Sequence, residues 1–184
     1  MIRLQDNPPS AWPEGVLGNE AQNQWAAIYC KPRQEKALAW DLHRKEVPYF
    51  LPMILRETSS GDRRRRNLYP LFPSYLFIGG AEPEKLEALK TNRVVHVVHV
   101  SAEGQPNLSR ELQALDIALR NFPDSLTLHS RPPKGSLVRV KAGPMAGVEG
   151  IVLQTATRHR IWLGVSCLGV GATLEIHPDL VESL

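Results

Sequence analysis

Apolar and polar positions along residues 25–30 (WAAIYC) alternate with a period of two. A strand there puts Trp25, Ala27 and Tyr29 on one face and Ala26, Ile28 and Cys30 on the other. The period then lengthens. EKALAWDLHRKE (35–46) places Leu38 and Leu42 one helical turn apart, and Pro32 suits a helix start. PYFLPMIL (48–55) is extended, because its two prolines oppose a helix. SSGDRRRRN (59–67) is a polar, basic loop or hairpin tip. SYLFI (74–78) is a strand with Tyr75 and Phe77 on one face and Leu76 and Ile78 on the other. PEKLEALK (83–90) is a short helix, and VVHVVHV (94–100) is a β-branched strand. LSRELQALDIALRNF (108–122) is an amphipathic helix, with Leu112, Leu115 and Leu119 on one stripe and Ser109 able to cap it.

The pattern changes again after residue 122. Residues 123–134 carry three prolines without periodicity, which predicts an inter-domain linker. From 135 to 184 the reading is all strand: GSLVRVKA, GVEGIVLQTA, RIWLGVSCL, GATLEIH and LVES. Short strands at this spacing predict one small barrel. Residues 1–24, with Pro8, Pro9 and Pro13 among polar residues, predict a flexible extension. The order β-α-β-β-α-β-α over residues 25–122 predicts an antiparallel sheet with helices. The expected fold class is therefore α+β, followed by a small all-β barrel.

Composition narrows the class. At 184 residues the chain holds one domain or two small ones. It is 42% hydrophobic and 22% charged, ordinary for a globular protein, and has no apolar run long enough for a bilayer. The start of the chain lacks the basic and apolar segments of a signal peptide, so a cytoplasmic location is expected. Two cysteines, Cys30 and Cys167, sit in apolar runs and read as buried small residues.

Side-chain chemistry points to binding. If Leu76, Ile78, Ile28 and Cys30 pack under the helices, Tyr29, Tyr75 and Phe77 lie together on the opposite face, a candidate docking site if left open. Net charge is only +3, but basic residues cluster. Lys31, Arg33, Arg44 and Lys45 flank the first helix, and Arg63, Arg64, Arg65 and Arg66 form an unbroken run suited to phosphate contact. His96 and His99 point to opposite faces of their strand and cannot easily share a metal. No nucleophile motif, phosphate loop or metal-type Cys/His spacing occurs. A non-enzyme without cofactor or metal is expected.

Residues 135–152, GSLVRVKAGPMAGVEGIV, carry the spacing Gly135–Val138–Val140–Gly143–Pro144–Gly147–Gly150–Val152. This resembles the KOW motif, which opens SH3-like barrels in ribosomal proteins and transcription elongation factors. Upstream, WAAIYCKPRQEK (25–36), VPYFLP (47–52) and PLFPSYLF (70–77) resemble the NusG N-terminal domain. With VSCLG (165–169), the resemblance covers about residues 25–184. YCKPRQE and PLFPSYLF are more similar to the specialised, RfaH-like antitermination paralogs than to housekeeping NusG.

The resemblance implies a domain at 25–122 that docks on the clamp helices of RNA polymerase through Tyr29, Phe72, Tyr75 and Phe77. It further implies suppression of pausing and termination, and contact of the basic residues around the first helix with non-template DNA. A KOW barrel at 135–184 would recruit a small-subunit ribosomal protein or the termination factor Rho through Val165, Cys167 and Leu168. A monomer is expected. The valines, isoleucines and glycines of 151–176 oppose a helical form of this barrel. Two alternatives are a general NusG-type factor assisting Rho-dependent termination and a ribosome-associated KOW protein that binds RNA.

Overall fold

The computed structural model describes residues 6–18, 24–60, 63–129, 134–154 and 159–184, with backbone alone for 58–60, 63–65 and 154. It divides into two units, Met1–Ser109 and Arg110–Leu184. The fold class is α+β. The first unit runs through β1 (Ala11–Trp12), β2 (Trp25–Cys30), α1 (Glu35–Arg44), β3 (Tyr49–Phe50), β4 (Met53–Ser60), β5 (Arg63–Pro70), β6 (Tyr75–Gly79), α2 (Glu82–Leu89), β7 (Val94–Val98) and the start of α3 (Gln105–Asn121). Its antiparallel sheet has the order β1-β3-β6-β2-β7, and β4 and β5 form a separate hairpin. The expected alternation holds. Ala26, Ile28, Cys30, Leu76 and Ile78 form one core with Leu38, Ala39 and Leu42 of α1 and Ala88 of α2. The helices thus cover one face of the sheet.

Residues 6–18 depart from the expected flexible extension. β1 pairs with β3, with Ala11 opposite Phe50 and Trp12 opposite Tyr49. The Leu51 N–H donates to the Ser10 carbonyl at 2.7 Å, and the Tyr49 hydroxyl donates to the Pro9 carbonyl at 3.0 Å. Trp12 packs edge-on to His43 of α1 at 4.3 Å between ring centroids, and Val16 and Leu17 are buried. Pro9 lacks an N–H donor, but its carbonyl still accepts from the Tyr49 side chain of β3.

The second unit contains β8 (Thr127–His129), β9 (Ser136–Val140), β10 (Glu149–Gln154), β11 (His159–Val165), β12 (Val170–Glu175) and β13 (Val181–Ser183). They form one antiparallel sheet in the order β13-β9-β10-β11-β12-β8. Val138, Val140, Val148, Val152, Ile161, Leu163, Ala172 and Leu174 are buried in it. The boundary between the units falls inside α3, whereas the sequence reading placed it at 123–134. β8 lies within that stretch and pairs with β12, because Thr127 and His129 meet Thr173 and Gly171 in register. Residues 130–133 of the expected linker lie outside the described residues.

Candidate docking site

The face of the first unit's sheet away from α1 carries the aromatic residues singled out in the sequence, but in two different states. Ladder register puts Phe50, Phe77, Ala27 and Val98 in one row across β3, β6, β2 and β7. Phe77 and Phe50 are fully buried and stack at 6.3 Å; Phe72, also buried, meets Phe77 edge-on at the same distance. The next row is Tyr75, Tyr29 and His96. Tyr29 lies 5.1 Å from Tyr75 and 5.2 Å from His96 between ring centroids. The tyrosines are half-buried and His96 is exposed. The expectation of an open face through Tyr29, Tyr75 and Phe77 is thus corrected at Phe77, and Phe72, which the resemblance added, is buried as well. Phe72 and Phe77 bury each other and support the face, and Tyr29 and Tyr75 present it. The faces were legible from alternation, but the cover over Phe77 was not.

The row ends at a shaped turn. Ser74 adopts the left-handed region, with φ +67°. Its N–H donates to the Glu35 carboxylate at 2.6 Å, and its carbonyl accepts from the Cys30 N–H at 2.8 Å. Glu35 is itself buried, in the first turn of α1. The Tyr75 N–H donates to the Phe72 carbonyl at 3.0 Å, closing the turn. The sequence reading missed Glu35, whose charge beside a predicted helix start looked like an ordinary first-turn acid.

The basic residues do not form a single cluster. Lys31 and Arg33 are exposed on the β2–α1 connection, and neither forms an ion pair among the described residues. Arg44 and Lys45 lie at the other end of α1, about 15 Å away along a ten-residue helix. Arg44 pairs with Asp41, and Lys45 pairs with Glu87 at 2.5 Å. Hydrogen bonds from Lys45 and Lys90 hold the exposed Glu87 carboxyl down at about 2. Arg93 ties the two ends together. Its Nε donates to Asp41 at 2.6 Å, its guanidinium bonds Gln34, and its carbonyl accepts from the Lys31 N–H at 2.9 Å. Of the two expected alternatives, loop or hairpin tip, the hairpin is found: Arg63–Arg66 lead away from its closed end in β5, opposite Ser60, Ser59, Thr58 and Glu57. Arg66 is exposed and 3.7 Å from Glu57; the side chains of Arg63, Arg64 and Arg65 lie outside the described residues.

The profile of the family described as "NusG: Transcription termination factor nusG" matches residues 23–115, half of the chain. The chain belongs to the NusG family. The match covers both tyrosines of the row, His96, Glu35 and the whole of α1. Two solved structures are similar over most of their length. One is NusG of Thermotoga maritima, determined in a study of its domain interaction. It has 16% identity, covers 90% of this chain and 99% of its own, and has a TM-score of 0.45. The other is a chain of the MjSpt4:Spt5 complex in conformation B, with 16% identity, 88% and 97% coverage, and a TM-score of 0.28. NusG-family members are transcription factors. No helix among the described residues is long and apolar enough to cross a membrane.

The segment that resembles a KOW motif lies beyond the NusG match. It forms β9, a turn and β10. Gly143 and Gly147 hold the turn at φ +84° and +86°, with the Gly147 N–H donating to the Val140 carbonyl at 2.8 Å. Pro144 is exposed between them, while Val138, Val140 and Val152 face the core. Gly135 and Gly150 are glycine because space is short. A Cβ there would sit 2.3 Å from the Val152 carbonyl oxygen and 2.6 Å from that of Trp162, respectively. Of the expected partner contacts, Val165 is fully buried at the end of β11 and is corrected to a core residue. Cys167 and Leu168 are half-buried in the 3-10 turn Ser166–Leu168, where a strand was expected. Glu111 of α3 holds this turn, accepting from the Ser166 N–H at 3.0 Å and from its hydroxyl. Burial, reinforced by the Glu111 charge, pushes the Cys167 thiol up to about 11.

Proposed function

We propose that this NusG-family protein is a transcription elongation and antitermination factor that rides on RNA polymerase. The observation that carries the reading is the partly exposed Tyr75–Tyr29 pair, backed by the buried Phe77, Phe50 and Phe72. Two aromatic rings on a rigid, packed base suit an apolar helix surface such as the polymerase clamp helices. Binding favours the elongating state only by the difference in affinity between polymerase conformations, and pausing falls accordingly.

Lys31 and Arg33 are the first candidates for non-template DNA, since both are exposed and unpaired among the described residues. Arg44 and Lys45 follow. Exposed ion pairs such as theirs are worth about 0–1 kcal/mol, so a phosphate competes for them readily. Arg63–Arg66 add charge along the hairpin. The second unit recruits a further partner, a small-subunit ribosomal protein or Rho, through Cys167 and Leu168.

Reconstituted transcription tests the proposal. With purified polymerase, the wild-type chain should shorten pauses and raise terminator read-through, with or without Rho. Tyr29→Ala/Tyr75→Ala should remove both effects. Increased termination with Rho would favour the general NusG-type role. No effect on pausing or read-through would end the polymerase reading.

A further inference from the structure

The docking row has a third ring to which the polymerase reading gives no role. His96 stands directly opposite Tyr29 across the β2–β7 ladder, with its imidazole 5.2 Å from the tyrosine ring at an interplanar angle of 39°. A register shift between Tyr29 and Cys30 sets Val94 opposite Cys30, leaving Val95 as the extra residue of the pair. The ladder is regular from Ala27 opposite Val98 to Tyr29 opposite His96, and His96 lies at the free edge of the sheet, where β7 has no outer neighbour among the described strands. His96 is the most exposed member of the row. Beside the tyrosine hydroxyls it brings ring nitrogens, one of which can donate a hydrogen bond to a carboxylate.

The Glu35 carboxylate at the turn beside the row is buried and held by the Ser74 N–H. Tyr75, Tyr29 and His96 include no carboxylate, and β2 runs directly into the exposed Lys31 and Arg33. An apolar segment carrying an acidic side chain matches this edge; a basic one does not. We infer that His96 is a contact residue of the docking face, and that it selects a partner segment presenting a carboxylate beside its apolar ridge. The inference rests on the polymerase reading, with the partner surface belonging to the polymerase.

The test is the affinity of the full chain for purified RNA polymerase at low and moderate salt. His96→Ala should weaken binding about tenfold. The deficit should narrow as salt rises, because the lost contact is electrostatic. His96→Phe, which keeps a ring but no donor, should remain weakened at low salt. Thermal midpoints measured alongside should match wild type, as the side chain is exposed. Wild-type affinity for His96→Ala, beside a loss for Tyr29→Ala/Tyr75→Ala, would overturn the inference and leave the docking reading intact. Unchanged affinity in all variants would overturn both. Loss of binding to a single-stranded DNA oligonucleotide, with polymerase affinity kept, would assign His96 to nucleic acid and overturn the inference.

Discussion

The buried carboxylate of Glu35 accepts a hydrogen bond from the backbone N–H of Ser74 at 2.6 Å, and Ser74 sits at φ +67°. One acidic side chain from α1 thus holds the turn between the buried Phe72 and the partly exposed Tyr75 of the candidate docking face. Glu35→Ala leaves a part-buried N–H without its partner, and should cost about 1–3 kcal/mol in urea unfolding. Glu35→Gln keeps an acceptor and should recover most of it. Equal losses in both variants would show that the acceptor is not what matters.

Trp12 tests whether the N-terminal arm belongs to the fold. It pairs with β3 and rests on His43. Trp12→Ala should lower stability by about 1–3 kcal/mol through lost apolar burial. An unchanged unfolding midpoint would mean that the arm adds nothing to the sheet.

In the second unit, Trp162 lies across two glycines that face each other in the β11–β12 ladder. A Cβ at Gly164 would come within 2.3 Å of the indole ring, and one at Gly171 within 2.4 Å of the Leu163 carbonyl oxygen and 2.5 Å of the indole. Gly164→Ala should destabilise this unit by about 1–3 kcal/mol, because the indole must leave its place. Near-ultraviolet circular dichroism should report the displaced tryptophan. A wild-type spectrum and midpoint would contradict this packing.

Burial, with the nearby Glu35 charge, pushes the Cys30 thiol from an ordinary value of 9.0 up to about 12. Between these values the unfolded chain releases the thiol proton and the folded chain keeps it. The Cys30 contribution is therefore complete below about pH 9 and is lost as pH rises toward 12. The stability gap between wild type and Cys30→Ala should shrink from pH 8 to pH 11. A constant gap would contradict the shift.

The sequence was legible where one face of an element is buried against its neighbour. Alternation in WAAIYC and SYLFI identified the face of Ile28, Cys30, Leu76 and Ile78 that packs under the helices, and Leu38 and Leu42 marked the buried side of α1. It was less legible where long-range pairing overrides local preference. Ala11–Trp12 is a strand because β3 offers it an edge, and no alternation announces it. Arg63–Arg66 form a hairpin strand, where their composition left loop and hairpin tip open. Phe77 and Tyr75 share a face and a period, yet one is fully buried and the other half-exposed, because alternation tells a side chain's direction and not what stands over it. The place of His96 beside Tyr29 was not legible, because it depends on the register between β2 and β7, which neither strand's own sequence sets.

We propose that Tyr29 and Tyr75 form the surface that holds this protein on RNA polymerase. The direct measurement is the equilibrium affinity of Tyr29→Ala/Tyr75→Ala for purified polymerase, with its unfolding midpoint determined in parallel. Phe77→Ala serves as a control that should cost about 3–5 kcal/mol of stability through a core cavity. The double variant should stay folded and bind at least about tenfold more weakly. A folded double variant with wild-type affinity would contradict it.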